Sequence, residues 1–176
     1  MIFKETRLSG AYLIELERRE DHRGFFARAW CREEFERHGL NPGLVQINMA
    51  FNAKKGTLRG MHFQEAPDAE VKVVRCTSGA IFDVAVDLRP GSGTQGRWFG
   101  VVLDSTNRSM LYIPEGFAHG YQALEDGTEM YYLTTMPYAP KSARGYRYND
   151  PAFGIGWPMP VSCISDADAS WPDYRS

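Results

Sequence analysis

The sequence predicts an all-β fold, a sandwich or barrel formed as one domain over residues 1–176, and three observations predict it. From residue 44 onward, short β-branched or aromatic runs succeed one another, separated by Gly, Pro, Asp or Asn. Only one segment has the composition of a substantial helix. No internal repeat, low-complexity tract or linker divides the chain, and its glycines and prolines are scattered as turn punctuation. Many short strands at close spacing bury their apolar faces as a sandwich or a barrel.

Taken in order, a strand-like run over 12–17 is followed by a charged, turn-prone stretch over 18–24. Residues 33–39 combine helix formers with a glycine stop, so one or two short helices are expected near the N-terminus. Strands are then expected at 44–51, 57–63, 71–77, 80–88, 98–103, 109–113, 120–124 and 129–135. After about residue 145 the pattern loosens into an aromatic, proline-rich tail, read as irregular chain wrapped on the sheets and free at its end.

Composition narrows the function. A net charge of -2 and a pI of about 6.1 provide no basic field for nucleic acid or an anionic membrane, so any bound anion must meet a local cluster. The three cysteines, Cys31, Cys76 and Cys163, are odd in number and far apart, which argues against a disulfide framework and for a reducing cytoplasm. The first residues lack the apolar region of a secretory signal, and no run approaches the roughly 20 apolar residues of a membrane span.

The stretch from Gly56 to Gln64 sets an arginine and a histidine into an otherwise apolar strand. Strict alternation puts Leu58, Gly60, His62 and Gln64 on one face and Arg59, Met61 and Phe63 on the other. Taken alone, His62 reads more readily as a satisfied core histidine than as a chemical group. Lys72, on the next strand, shares a face with Val74 and Cys76, which points it inward.

Two short patterns resemble the motifs of the cupin superfamily: Gly56 followed by His62-Phe-Gln64, and Pro114-Glu-Gly-Phe-Ala-His119. The resemblance implies a jelly-roll barrel. Metal-binding cupins carry His-x-His and a following Glu in the first motif, with the second motif's histidine completing the ligand set. Here Gln64 replaces the second histidine, Glu65 and Glu70 stand at the wrong offsets, and His22 and His38 lie in other contexts. No metal and no other cofactor is therefore expected.

Over nearly its whole length the chain is similar to one cupin family, the dTDP-4-dehydrorhamnose 3,5-epimerases. The resemblance rests on Arg23-Gly-Phe-Phe26, Gln46-Ile-Asn48, Leu58-Arg-Gly-Met-His-Phe-Gln64, Lys72-Val-Val-Arg-Cys76, Phe82-Asp-Val-Ala-Val-Asp87, Ile113-Pro-Glu-Gly-Phe-Ala-His-Gly120 and Asn149-Asp-Pro-Ala-Phe-Gly-Ile-Gly-Trp-Pro158. It implies a dTDP-linked 4-keto-6-deoxy sugar as substrate and proton removal and return beside the ketone. Such chemistry calls for a base, an acid opposite it, and a donor for the enolate oxygen. The family pattern maps the base onto His62, the acid onto Tyr132 and the oxyanion donor onto Lys72. Asp168 is matched to the aspartate that orients the base, with Asp166 as the alternative. Arg59, Arg23 and His119 match positions that hold the pyrophosphate, Gln46 and Asn48 those that hydrogen-bond substrate, and Tyr138 the ring stacked on thymine. Arg23 is expected to reach the site from the neighbouring subunit of a homodimer.

The chain departs from the family pattern at Arg28, Ala143 and Ala167, where charged residues of another kind are usual. These departures leave the proton-transfer positions intact and put substrate choice in doubt. Epimerisation at C3 or C5 alone, action on another nucleotide sugar, or a cupin binding module without turnover are the competing readings. A metal-dependent cupin oxygenase or isomerase is disfavoured by Gln64.

Overall fold

The structure, a computed structural model, describes residues 1–175. In chain order its elements are β1 (Ile2–Glu5), β2 (Tyr12–Glu15), β3 (Arg19–Asp21), β4 (Gly24–Phe26), α1 (Arg32–Arg37), β5 (Gln46–Asn52) and β6 (Leu58–Gln64). There follow β7 (Lys72–Ser78), β8 (Ala80–Asp87), β9 (Trp98–Asp104), β10 (Met110–Ile113), β11 (Phe117–Ala123), β12 (Thr128–Thr134), β13 (Ala143–Gly145) and α2 (Asp166–Ala169). A six-stranded sheet in the order β1-β2-β10-β7-β12-β5 faces a five-stranded sheet in the order β13-β6-β11-β8-β9, and every pairing within them is antiparallel. The all-β sandwich is the architecture that the alternating runs imply.

Alternation decides what each face meets. Val74 and Cys76 of β7, Ile81 and Ala85 of β8, Leu111 and Ile113 of β10, Phe117 and Tyr121 of β11 and Met130 of β12 form the core between the sheets. The outer face of the larger sheet buries Ile14, Val73, Met110 and Tyr112 under Phe35 of α1. The outer face of the smaller sheet buries Met61, Val84, Val86 and Ala118 under Phe153, with Tyr146, Trp157 and Tyr174 packed around them. Each fully buried aliphatic or aromatic side chain contributes about 1.5–3 kcal/mol, so covering these two outer faces is a substantial stabilising term. No helix among the described residues is long and apolar enough to cross a membrane.

Three expectations need correction. The segment over 18–24 is a hairpin, β3 paired with β4, and not merely a turn; its exposed polar strand lacks the apolar alternation that would reveal it. The C-terminal tail, read as irregular throughout, carries a short helix besides the expected α1 near the N-terminus: Ser165 Oγ accepts the Asp168 N–H at 3.1 Å and starts α2, a cap legible in Ser-Asp-Ala-Asp. The tail is tied down as far as Tyr174, by that residue in the outer core and by the Arg147–Asp173 ion pair at 2.6 Å.

Candidate active site

A cavity of about 580 Å³ opens between the sheets. Strand β6 supplies its central histidine and β11 lies alongside, with His62 directly opposite His119. One step on, Arg59 pairs with Tyr121, so that Gly60 and Met61 together oppose the single residue Gly120. This bulge breaks the alternation. It brings Arg59, which strict periodicity sends to the opposite face, into the same cavity as His62. Only glycines permit it: a Cβ on Gly60, at φ +133°, would lie 2.5 Å from Gly120 Cα, and one on Gly120 would lie 2.6 Å from Met61 Sδ.

The His62 side chain is 43% exposed, into the cavity, while its Nε2 donates to Asp168 Oδ1 at 2.6 Å. That leaves Nδ1 as the nitrogen free to take a proton. A satisfied core histidine would be closed on both sides; this one is open on one. Asp168 is buried and comes from α2, whereas Asp166 is exposed, so the geometry selects Asp168 as the partner. Its other oxygen accepts the Gly60 N–H at 3.2 Å. Burial pushes the Asp168 carboxyl up, but the bonds from His62 and Gly60 outweigh it and hold the group below the usual carboxylate range. Trp171, edge-on to His62 at 6.3 Å, walls this corner, and its ring fills the space that any side chain at Gly145 would need.

The facing wall comes from the other sheet. Tyr132 lies on β12, and burial, reinforced by the negative charge of Glu70, raises its phenol above the ordinary value despite the opposing effect of Arg59. It therefore stays protonated at neutral pH. Lys72, 8% exposed, reaches from β7 to donate to the His62 carbonyl at 3.3 Å and pairs with Glu70 at 2.9 Å. Gln46 and Asn48 point inward from β5, 3.4 Å apart, and Gln46 Oε1 accepts the Tyr138 N–H at the cavity mouth.

Of the residues singled out in the sequence, Gln46, Asn48, Arg59, His62, Lys72 and His119 line this cavity, as do Tyr132, Tyr138 and Asp168. Arg23 does not: it sits on the β3–β4 hairpin, 78% exposed and paired with Asp21 at 2.6 Å. Arg28 pairs with Glu34 and stays clear of the cavity, whereas Ala143 and Ala167 both line it. Residues not anticipated are Asp83, fully buried and 2.7 Å from His119 Nε2, and Asn52, which accepts from both Arg59 and Tyr121. The inward aspartate in the apolar run Phe82-Asp-Val-Ala-Val was the available signal for the first.

Gln64, at the position of a cupin metal ligand, is occupied otherwise. Its amide donates to the carbonyls of Asp68 at 2.9 Å and Pro137 at 3.2 Å, and its oxygen accepts the Ala139 N–H at 2.6 Å. His62 and His119 each commit one ring nitrogen to a carboxylate, and no group of three or more His, Cys, Asp or Glu among the described residues could hold a metal ion.

What such a cavity offers is proton transfer rather than ligation, and on a jelly-roll scaffold this marks an acid–base isomerase. The comparisons with known proteins agree and are more specific. Residues 5–176 match the family model described as dTDP-4-dehydrorhamnose 3,5-epimerase, and the chain belongs to that family. A relative of that name from Sinorhizobium fredii is 42% identical, the match covering 98% of this chain and 89% of its own. The crystal structure of dTDP-4-dehydrorhamnose 3,5-epimerase from Elizabethkingia anophelis superposes with a TM-score of 0.96 at 35% identity, covering 99% of this chain and 96% of that one. A 3′-monoepimerase from Streptomyces bikiniensis, solved in complex with dTDP-quinovose, gives 0.87 at 33% identity over 96% of this chain and 85% of that one.

Proposed function

We propose that this chain epimerises a dTDP-4-keto-6-deoxyhexose at both C3 and C5, converting dTDP-4-dehydro-6-deoxy-D-glucose to dTDP-4-dehydro-L-rhamnose. The observation that carries the reading is the His62–Asp168 pair at 2.6 Å on one sheet, with Tyr132 on the other sheet lining the same cavity. His62 Nδ1 takes the proton from the carbon beside the ketone. Lys72 Nζ stabilises the enolate oxygen, and the Tyr132 hydroxyl returns a proton from the opposite wall, inverting the carbon. Arg59 and His119 meet the pyrophosphate, Gln46 and Asn48 hydrogen-bond the sugar, and Tyr138 stacks on thymine.

A homodimer completes the site. In support, the outer side of edge strand β5 exposes Ile47, Met49 and Phe51 at 60–69%, and Phe26 beside Arg23 is 72% exposed. Apolar surface arranged in this way favours a second copy, which would bring Arg23 to its neighbour's cavity.

Incubation with dTDP-4-keto-6-deoxyglucose in deuterated water tests the reading. Deuterium at both C3 and C5 with inversion is the expected outcome. Label at one carbon alone favours a monoepimerase, a reading that the likeness to the Streptomyces bikiniensis enzyme keeps in play. Tight binding without exchange would refute catalysis and leave a binding module.

A further inference from the structure

We infer that Glu70 is a positioning residue that fixes the ammonium of Lys72 against the reacting oxygen. The inference rests on the epimerase reading above. A lysine has four rotatable side-chain bonds, and nothing in β7 itself dictates where its Nζ comes to rest. Within this cavity Nζ has two contacts, Glu70 Oε1 at 2.9 Å and the His62 carbonyl at 3.3 Å, and the lysine and glutamate side chains are each 10% exposed. An ammonium has three donors. With two held by Glu70 and by the backbone of the base itself, the third is the one left for substrate.

The carboxylate can hold the lysine because its own backbone is fixed on both sides. Before it, Asp68 is bonded through its carbonyl to Gln64 Nε2 at 2.9 Å and through Oδ2 to Ser142 Oγ at 2.6 Å. After it, the Val71 N–H donates to Thr135 Oγ1 at 2.9 Å. Glu70 thus ties Lys72 to a braced loop, and Gln64 links that brace to the strand bearing His62. The negative charge also offsets the cost of burying an ammonium, and it raises the phenol of Tyr132 on the facing wall. One carboxylate serves donor and acid together.

The test compares Glu70→Ala and Glu70→Gln in the full-length protein, because glutamine keeps an acceptor of the same reach without the charge. Misplacing a catalytic group by on the order of 1 Å costs about 100-fold. Glu70→Ala is therefore expected to lose roughly 30- to 100-fold in kcat, with KM and dTDP affinity unchanged. Glu70→Gln is expected to recover most of that loss. Crystal structures supply a readout independent of turnover: Nζ leaves the His62 carbonyl in the alanine variant and stays in the glutamine variant. A Glu70→Ala enzyme with wild-type kcat, or an unmoved Nζ in its structure, overturns the inference. If the wild-type protein itself shows no deuterium exchange, the epimerase reading fails, and the crystal structures still decide whether Glu70 places Lys72.

Discussion

Replacing Asp168 with asparagine changes the charge of one atom pair and little volume, yet the surrounding hydrogen bonds make it a severe perturbation. Asp168 accepts from His62 Nε2 through Oδ1 and from the Gly60 N–H through Oδ2. Asparagine has one acceptor oxygen and one donor amide, so it cannot satisfy both. If its oxygen serves Gly60, its NH₂ faces His62 Nε2, which must then accept, and the ring proton moves to Nδ1, the nitrogen needed as base. If its oxygen serves His62, the amide opposes a buried backbone N–H at a cost of about 1–3 kcal/mol, and the imidazolium still loses its counter-charge. A wrong tautomer in an otherwise intact base–carboxylate pair has cost about 10⁴-fold in a hydrolase triad. Combining the two routes, a drop of roughly 10³-fold in kcat is expected, equal to about 4 kcal/mol of transition-state stabilisation. Deuterium incorporation followed by NMR measures the rate, dTDP binding checks that the cavity is intact, and ¹⁵N shifts of the imidazole report its tautomer. A variant that keeps a tenth or more of the wild-type rate refutes the reasoning, while the protonated nitrogen tells which of the two routes the asparagine takes.

Other outcomes follow from the same geometry. Tyr132→Phe removes the acid and leaves the base, so recovered starting material should still gain deuterium beside the ketone while inverted product falls by about 10²- to 10⁴-fold; parallel loss of both would remove Tyr132 from the second step. Gln64→Ala deletes hydrogen bonds to Asp68, Pro137 and Ala139 and should destabilise the fold by about 3 kcal/mol, read as a lowered Tm. Because the Asp168 carboxyl is lowered in the folded state, its contribution to stability is full above its unfolded value of 3.8 and is lost as pH falls through the lower folded value. Wild type should accordingly lose more stability than Asp168→Asn between pH 5 and pH 2, measured by denaturant titration, and equal losses would contradict the linkage.

The strands were legible because burial on one face imposes a two-residue period, and the site residues on regular strands were legible with them. Gln46 and Asn48 on β5 and Lys72 on β7 point where alternation sends them. Arg59 does not, because its orientation depends on a bulge formed with Gly120 of a strand far along the chain. No local pattern carries that information; two glycines that must touch do. The His62–Asp168 contact spans 106 residues, so spacing could not reveal it, and the motif likeness that pointed to Asp168 left Asp166 open until α2 was placed. Glu70 was legible in a different sense. It shares the alternation of Lys72, Val74 and Cys76, but measured only against the spacing of metal ligands it looked misplaced.

Gln64 stands where the cupin motif carries a metal ligand and uses that place to order the backbone around it. A histidine at this point of β6 could offer a nitrogen to an ion, but it could not donate twice and accept once from three separate backbone groups. The amide does so, and the groups it holds belong to the segments that carry Glu70 on one side and Tyr138 on the other. Those segments form the rim over His62 and Tyr132, the residues proposed to transfer protons. Positioned electrostatics lower a barrier only insofar as the dipoles and charges are fixed before the reaction begins. In this cavity the residue at the cupin metal-ligand position is the one that fixes the rim, and that rigidity is what the proposed acid–base chemistry requires.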